Sequence, residues 1–276
     1  MDYKRVLSVQ DISCFGQCSL TVALPIISAC GVETCVLPSA LLSTHTMGFD
    51  GFTCLDLTEE MKKIIGHWEN CGIKFDAVYT GYIVSAGQAE VISRVFGSCL
   101  KNGGLKIVDP VMGDFGKLYP AFDSDFVQTM KTLCAQADII IPNITEASLL
   151  TDIEYREKYG EEYIENLLSA LVALGPKKVV LTGVGYTEGT TGVAVYGGGE
   201  AFYYPHPRVA RSCHGTGDVF ASAFTGSLMR GKSAEQAAVI AADFTVRCIL
   251  GTVEDRGHWY GVKFESCLAD LDDRLK

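Results

Sequence analysis

The chain has 276 residues, 48% apolar and 20% charged, a balance that supports a packed core and excludes a disordered chain. Lys plus Arg number 23 and Asp plus Glu 33, a net charge of −10. A chain this acidic has no general electrostatic attraction to nucleic acid or to an anionic membrane, so an anionic ligand must be met by a locally built positive field.

In chain order, residues 6–9 read as a strand, 20–30 as a helix and 33–37 as a strand. Asp56-Leu57-Thr58-Glu59 has capping-box spacing and opens a helix to about 71, stopped by Gly72. Strand 77–80 follows, then helix 86–100 closed by Gly103-Gly104, and strand 105–108 cut by Asp109-Pro110. Helix 123–136, strand 138–141 stopped by Pro142, helix 161–174 and strand 178–182 continue the alternation. Residues 191–196 and 200–204, joined by Gly197-Gly198-Gly199, read as a hairpin, and helices 217–229 and 233–250 complete the pattern.

The runs Lys106-Ile107-Val108, Ile139-Ile140-Ile141 and Val179-Val180-Leu181 do not alternate, so these strands read as buried on both faces of a parallel sheet. Repeated βα units of this kind predict a doubly wound α/β domain. With no linker or repeat in view, one domain over 1–276 is the expectation. The first apolar run is too short for a signal-peptide core, and no stretch approaches roughly 18 uninterrupted apolar residues. A cytoplasmic chain is expected. Its eleven scattered cysteines, without a C-x-x-C pair, then read as reduced and mostly buried.

In such sheets the ligand lies beyond the carboxyl ends of the strands. Gln10-Asp11, Gly81-Tyr82, Asp109 to Asp114, Asn143 to Glu146 and Thr182-Gly183 all fall there. They predict one crevice lined by carboxylates, amides and glycines.

Gly226 to Ser233 fits the P-loop pattern in full, yet it lacks the strand that a P-loop needs before it. Val219, Phe220, Ala223, Phe224 and Leu228 run into it at helical spacing, Gly231 reads as a helix stop, and Ser233 with Gln236 as a capping box. The match is therefore a helix–turn–helix junction. His214-Gly215-Thr216-Gly217-Asp218 is the stronger signal: glycines at a helix start turn backbone N–H groups toward one point, an anion hole suited to a transferring phosphoryl group. Asp218 stands beside it, where a carboxylate can take a proton from an attacking hydroxyl. Spacing alone leaves a second reading equally open, a plain helix start with Asp favoured by the dipole.

Gly215-Thr216-Gly217-Asp218 followed by Phe220-Ala221 resembles the signature of ribokinase-like small-molecule kinases. Asp109-Pro110-Val111-Met112-Gly113-Asp114, Asn143-x-x-Glu146, the opening Val6-Leu7-Ser8-Val9-Gln10, Pro25, Ser43-Thr44-His45-Thr46 and Thr80-Gly81-Tyr82 resemble the sub-family that phosphorylates vitamin B6. The resemblance covers nearly the whole chain. It implies a ribokinase-like three-layer α/β/α sandwich, with ATP as co-substrate, Mg²⁺, often a monovalent cation such as K⁺, and a homodimer.

By the same resemblance, Asp218 is the general base on the 5′-hydroxymethyl of pyridoxal, pyridoxamine or pyridoxine, and Gly215, Thr216 and Gly217 form the anion hole. Asp109, Asn143 and Glu146 hold the Mg-ATP phosphates, with Asp109 and Glu146 toward the metal. Thr182 contacts ATP, and Asp11, Thr46 and Tyr82 face the ring. His45 either joins them or satisfies loop backbone; Arg208 and Arg211 either flank the triphosphate or solvate a loop. Cys213 reads as buried filler, and Trp68 and Trp259 show no functional pattern.

Three positions depart from the family. Asp11 stands where B6 kinases usually carry Ser, Thr44 where they have Asn, and His214 is an unusual neighbour of the glycine motif. An Asp at 11 is more like hydroxymethylpyrimidine kinases. A hydroxymethylpyrimidine or sugar kinase of the same fold is the alternative enzyme, and a nucleotide-binding module without catalysis the alternative outside enzymes. The first turn lacks the G-x-G-x-x-G that a dinucleotide dehydrogenase needs.

Overall fold

Neighbouring residues of the apolar runs point to opposite sides of one sheet, and helices cover both sides. A computed structural model describes residues 3–210 and 213–275. In chain order the elements are β1 (Arg5–Ser13), α1 (Leu20–Ala29), β2 (Glu33–Leu42), β3 (Cys54–Asp56), α2 (Thr58–Asn70), β4 (Phe75–Thr80), α3 (Ala86–Ser98) and β5 (Leu100–Val108). Then come β6 (Gly113–Asp114), β7 (Lys117–Leu118), α4 (Ser124–Cys134), β8 (Ile139–Ile140), α5 (Ile144–Thr151), α6 (Glu161–Ala173) and β9 (Lys178–Thr182). β10 (Thr190–Tyr196), β11 (Phe202–Pro207), α7 (Thr216–Met229), α8 (Ala234–Val253) and α9 (Leu268–Leu275) follow.

The main sheet has the order β11-β10-β9-β8-β5-β4-β1-β2-β3. Every pair from β2 across to β9 is parallel, while β3, β10 and β11 pair antiparallel at the two edges. One face buries Leu7, Val78, Val108, Ile140 and Val179 with α2 to α6; the other buries Val6, Ala77, Ile107, Ile139 and Val180 with α1, α7, α8 and α9. This is the expected three-layer α/β/α sandwich, and β6–β7 is a small separate hairpin. From β1 the chain lays β2 on one side and β4 on the other, so the order reverses between β1 and β4 and opens a crevice at their carboxyl ends.

Strand 178–182 and helices α1, α4, α6, α7 and α8 fall within a few residues of expectation. Gly226 to Ser233 is a helix junction: α7 ends at Met229, Gly231 has φ 84°, and Ser233 with Gln236 closes a reciprocal capping box. α8 is long and apolar enough in length and composition to cross a membrane, yet Ala237, Ala238, Ala241, Phe244 and Cys248 are buried against the sheet face, as in a core helix.

Other expectations need correction. Asp56 makes no capping box: the N-cap is Leu57, Asp56 Oδ1 accepts from Thr58 N at 2.7 Å, and Glu59 pairs with Lys62. Helix 86–100 ends at Ser98, and Gly103-Gly104 lie inside β5, where an irregularity shifts the register from Phe75↔Leu100 to Ala77↔Leu105. β1 and β2 run four to five residues further than their apolar runs because they pair with each other up to Ser13↔Leu42. α5, α9 and the β6–β7 hairpin were not anticipated.

Candidate active site

α7 begins directly after Gly215, which sits in the left-handed region at φ 77°. A Cβ there would stand 2.1 Å from Gln17 O, so the turn requires glycine. No side chain caps this helix, and its first N–H groups open into the cleft. Gly217 is exposed in the first turn, and a Cβ on it would meet nothing within 4 Å. Asp218 follows. Burial pushes its carboxyl up to about 7; the Ser19 backbone works against that shift and the Asp11 charge adds to it.

Asp11 lies near the end of β1, where the register with β2 slips between Gln10 and Ile12. Its buried carboxylate accepts from Ser13 Oγ at 3.0 Å, and the Ser19 side chain lies near it. Burial still holds its protonation above the ordinary carboxylate range. Ser19 therefore stands near both carboxylates, its backbone toward Asp218 and its side chain toward Asp11, and works against the rise in each. It holds φ 56° and, as the N-cap of α1, makes no side-chain cap bond, a strained conformation that only a fixed surrounding maintains. The sequence does not mark Ser19, because a serine directly before a helix reads as an ordinary N-cap.

Across the crevice, Asn143 and Glu146 form a capping box on α5. Glu146 N donates to Asn143 Oδ1 at 2.9 Å, and Asn143 N donates to Glu146 Oε2 at 2.8 Å. Asn143 Nδ2 donates to Gly113 O at 2.9 Å, and Met112 N to Glu146 Oε1 at 3.2 Å. The Asn143-x-x-Glu146 motif thus has a structural duty besides lining the cleft. Asp109, buried beyond β5, is pushed well up by burial, then by Glu146 and Asp218. Glu146 is pushed up by burial as well. Thr182 closes β9, its N–H donating to Pro142 O at 2.9 Å.

Tyr82 and Thr46 line the same cleft, Tyr82 with its ring 5.5 Å from that of Phe122. His45 is buried with both ring nitrogens engaged: Nδ1 accepts from Met47 N at 3.2 Å, and Nε2 lies 2.9 Å from Tyr260 O, as donor in that tautomer. Satisfying loop backbone is thus its visible role, and only its ring remains for a ligand. Around it Phe49, Trp259 and His214 form a rim, with His45–His214 at 5.3 Å and Phe49–Trp259 at 4.7 Å. Trp259, unmarked by any sequence pattern, packs on Phe49 and against the cleft-lining His214, whereas Trp68 packs on Phe75 in the core. Arg211 lies outside the described residues.

The resulting cavity has a volume of about 540 Å³ and brings together all twelve residues named from the sequence. Asp11, Asp109, Asp114, Glu146 and Asp218 line it, with Arg208 as the one Lys or Arg of its lining among the described residues. A triphosphate placed here would be repelled by those carboxylates unless a cation lay between them. Asp109 and Glu146 are hard oxygen ligands of the kind a divalent metal takes, and the Glu146 charge helps raise the protonation of Asp109, although among the described residues no three His, Cys, Asp or Glu side chains are grouped to hold an ion by themselves.

A helix N-terminus without a side-chain cap, with a carboxylate in its first turn, at the switch point of a parallel α/β/α sheet, is the arrangement that the resemblance to ribokinase-like kinases implies. The chain belongs to the phosphomethylpyrimidine kinase family, whose model matches residues 23–262. A Bacteroides thetaiotaomicron protein provisionally described as a phosphomethylpyrimidine kinase, solved with pyridoxal, is 37% identical, with a TM-score of 0.93 over 98% of this chain and 96% of that one. Pyridoxal kinase from Lactobacillus plantarum is 32% identical, with a TM-score of 0.90 over 97% and 96%. The thiamine biosynthetic bifunctional enzyme of Arabidopsis thaliana is 28% identical over 87% of this chain, which spans 45% of that enzyme's length.

Proposed function

We propose that the chain is an ATP-dependent kinase that phosphorylates the 5′-hydroxymethyl group of a vitamin B6 vitamer: pyridoxal, pyridoxamine or pyridoxine. The observation that carries this reading is the open N-terminus of α7 with the Asp218 carboxylate in its first turn. Likeness to a pyridoxal kinase and to a protein solved with pyridoxal supports the substrate class.

In this reading the ring lies against Asp11, Tyr82 and Thr46, and the nucleotide extends past Asn143 toward Thr182. Asp218 takes the proton of the 5′-hydroxyl as its oxygen bonds to the γ-phosphorus. The bond from that phosphorus to the β–γ bridging oxygen breaks, and ADP leaves with the electron pair. The N–H groups of Gly215, Thr216 and Gly217 meet the charge on the transferring group. Asp109 and Glu146 would hold Mg²⁺, which supplies charge neutralisation at the phosphates. A monovalent cation such as K⁺, a single domain over 1–276, a homodimer and a cytoplasmic location belong to the same reading.

The direct test is ATP consumption with pyridoxal, pyridoxamine, pyridoxine, hydroxymethylpyrimidine and ribose. ADP formation with a B6 vitamer, dependent on Mg²⁺, is expected. No turnover with any vitamer would overturn the substrate, and none with all five the kinase reading.

Asp11 favours a second reading, hydroxymethylpyrimidine as substrate, because an ionised carboxylate accepts hydrogen bonds and donates none. It selects a protonated ring nitrogen or an amino group over a bare acceptor. Asp11→Ser is expected to lower kcat/KM for pyridoxamine and hydroxymethylpyrimidine about tenfold more than for pyridoxal, the size of one charge-assisted hydrogen bond. A common factor for all three substrates would mean that Asp11 only ties the loop through Ser13 and Ser19.

A further inference from the structure

Beneath the first turn of α7 lies a polar seam that the chemistry above does not use. On β1, Ser8 and Gln10 point to the same face as Val6; on β4, Tyr79 points there too, paired in register with Ser8. Facing them on α7 is Ser222, one turn below Asp218 and on the same side of the helix. Ser8, Gln10, Tyr79 and Ser222 are fully buried. Polar groups placed so deep are normally all hydrogen-bonded.

Here they are not. Gln10 Nε2 donates to Ser8 Oγ at 3.1 Å, but Gln10 Oε1, Tyr79 OH and Ser222 Oγ close no hydrogen bond of good geometry. The three groups nevertheless lie against one another, since Ser222 and Gln10 both bear on the Tyr79 phenol. Burial pushes that phenol well up, and the charges of Asp109 and Asp218 add to the rise. Gln10 is fixed in place by Gly81: a Cβ on Gly81 would stand 2.9 Å from Gln10 Cδ. Three fully buried oxygens without a partner of good geometry, close to one another, are the kind of groups that internal water satisfies, typically by bridging two to four of them.

We propose that this seam holds internal water, and that Tyr79 is a positioning residue which, through that water, braces Asp218 and the first turn of α7 from behind. The proposal rests on the reading of Asp218 as the base. It adds that the base is fixed on its cleft side by Ser19 and on its buried side by Tyr79, Gln10 and Ser222. The charged or titratable groups facing Asp218 are Asp11 from β1, Cys18 from the segment before α1, Tyr79 from β4, Asp109 beyond β5 and Tyr119 after β7.

The test has two arms. The first needs no substrate: a crystal structure of the full chain at a resolution that shows ordered water. Density within hydrogen-bond distance of Tyr79 OH and of Gln10 Oε1 or Ser222 Oγ is expected. A dry seam, with Tyr79 bonded directly to Gln10 and Ser222, would overturn the proposal whatever the enzyme phosphorylates. The second arm is kinetic. Tyr79→Phe keeps the ring and its packing, so the thermal midpoint should hold or rise as a buried hydroxyl is removed. Meanwhile kcat should fall about three- to tenfold, the size of one lost neutral hydrogen bond, with KM for ATP and vitamer within about twofold. Ser222→Ala should show the same split, and the double variant should lose no more than the worse single one. A lower midpoint with unchanged kcat, or no change in either, would make Tyr79 a packing residue only. Absence of B6 kinase activity in the wild type would strike the functional reading and leave the crystallographic arm to decide this one.

Discussion

Asp218→Asn is expected to fold and bind ATP like the wild type while losing about 10²- to 10⁴-fold in kcat, the usual worth of a general base. The amide is nearly isosteric, and its Oδ1 can still face the Ser19 backbone that now lies near the carboxylate. It also removes a buried charge that Asp11 repels, so the thermal midpoint should hold or rise. What the amide cannot do is take the proton of the 5′-hydroxyl. The same group sets the pH profile. Its carboxyl is pushed up to about 7, so it stays protonated, and useless as a base, until the pH passes that value. Wild-type kcat/KM should therefore be full above pH 7 and fall as pH drops through it, and the Asn variant should lack this limb. Single-turnover phosphoryl transfer measured across pH checks both statements. A variant within about threefold of wild type at pH 8 would reduce Asp218 to a helix-start residue.

The parallel sheet was legible because its central strands are buried on both faces. Ile107-Val108, Ile139-Ile140 and Val179-Val180 send alternate residues into the two helical layers, and no polar position interrupts them. Legibility failed where pairing between distant segments overrules local pattern. Polar Gln10, Asp11 and Ser13 look like the end of a strand, yet β1 continues through them because β2 continues alongside. Gly103-Gly104 look like a helix stop, yet they are absorbed into β5 as an irregularity against β4.

The site divides the same way. Residues carried by a local motif, the Gly215–Asp218 turn above all, stand out by spacing because one helix start fixes both donors and carboxylate, but spacing leaves a plain helix start equally open and the resemblance alone implies their roles. Asn143-x-x-Glu146 is visible as a motif, and its spacing also suits the capping box that the structure shows on α5. Ser19 and Tyr79 carry no local signature. Ser19 matters because its strained φ places its backbone and its side chain near carboxylates from two different elements. Tyr79 reads as an ordinary strand aromatic until β1 and α7 are packed against it.

Two glycines of the proposed anion hole separate folding from chemistry, and Gly215→Ala is expected to damage both. Gly215 holds φ 77°, a region that costs a residue with a Cβ about 1–2 kcal/mol. Its new methyl would stand 2.1 Å from Gln17 O, a backbone atom that cannot swing aside, so the 17–19 segment or the helix start must move. That overpacking adds about 1–3 kcal/mol. A total near 3 kcal/mol lowers the thermal midpoint by about 6 °C or more for a chain of this size. Displacing the helix start also moves Asp218 against Ser19, so kcat should fall by about 10² or more, the loss typical of a spoiled anion hole. Gly217→Ala is the contrast. A methyl there meets no protein atom within 4 Å, and alanine is the better helix former by about 1 kcal/mol, so stability should hold or rise. Its methyl would project into the open cleft, where the transferring group is placed in the proposed reaction, so kcat should still fall at least about tenfold. A Gly217→Ala enzyme with both full stability and full turnover would mean that no phosphoryl group meets the N-terminus of α7.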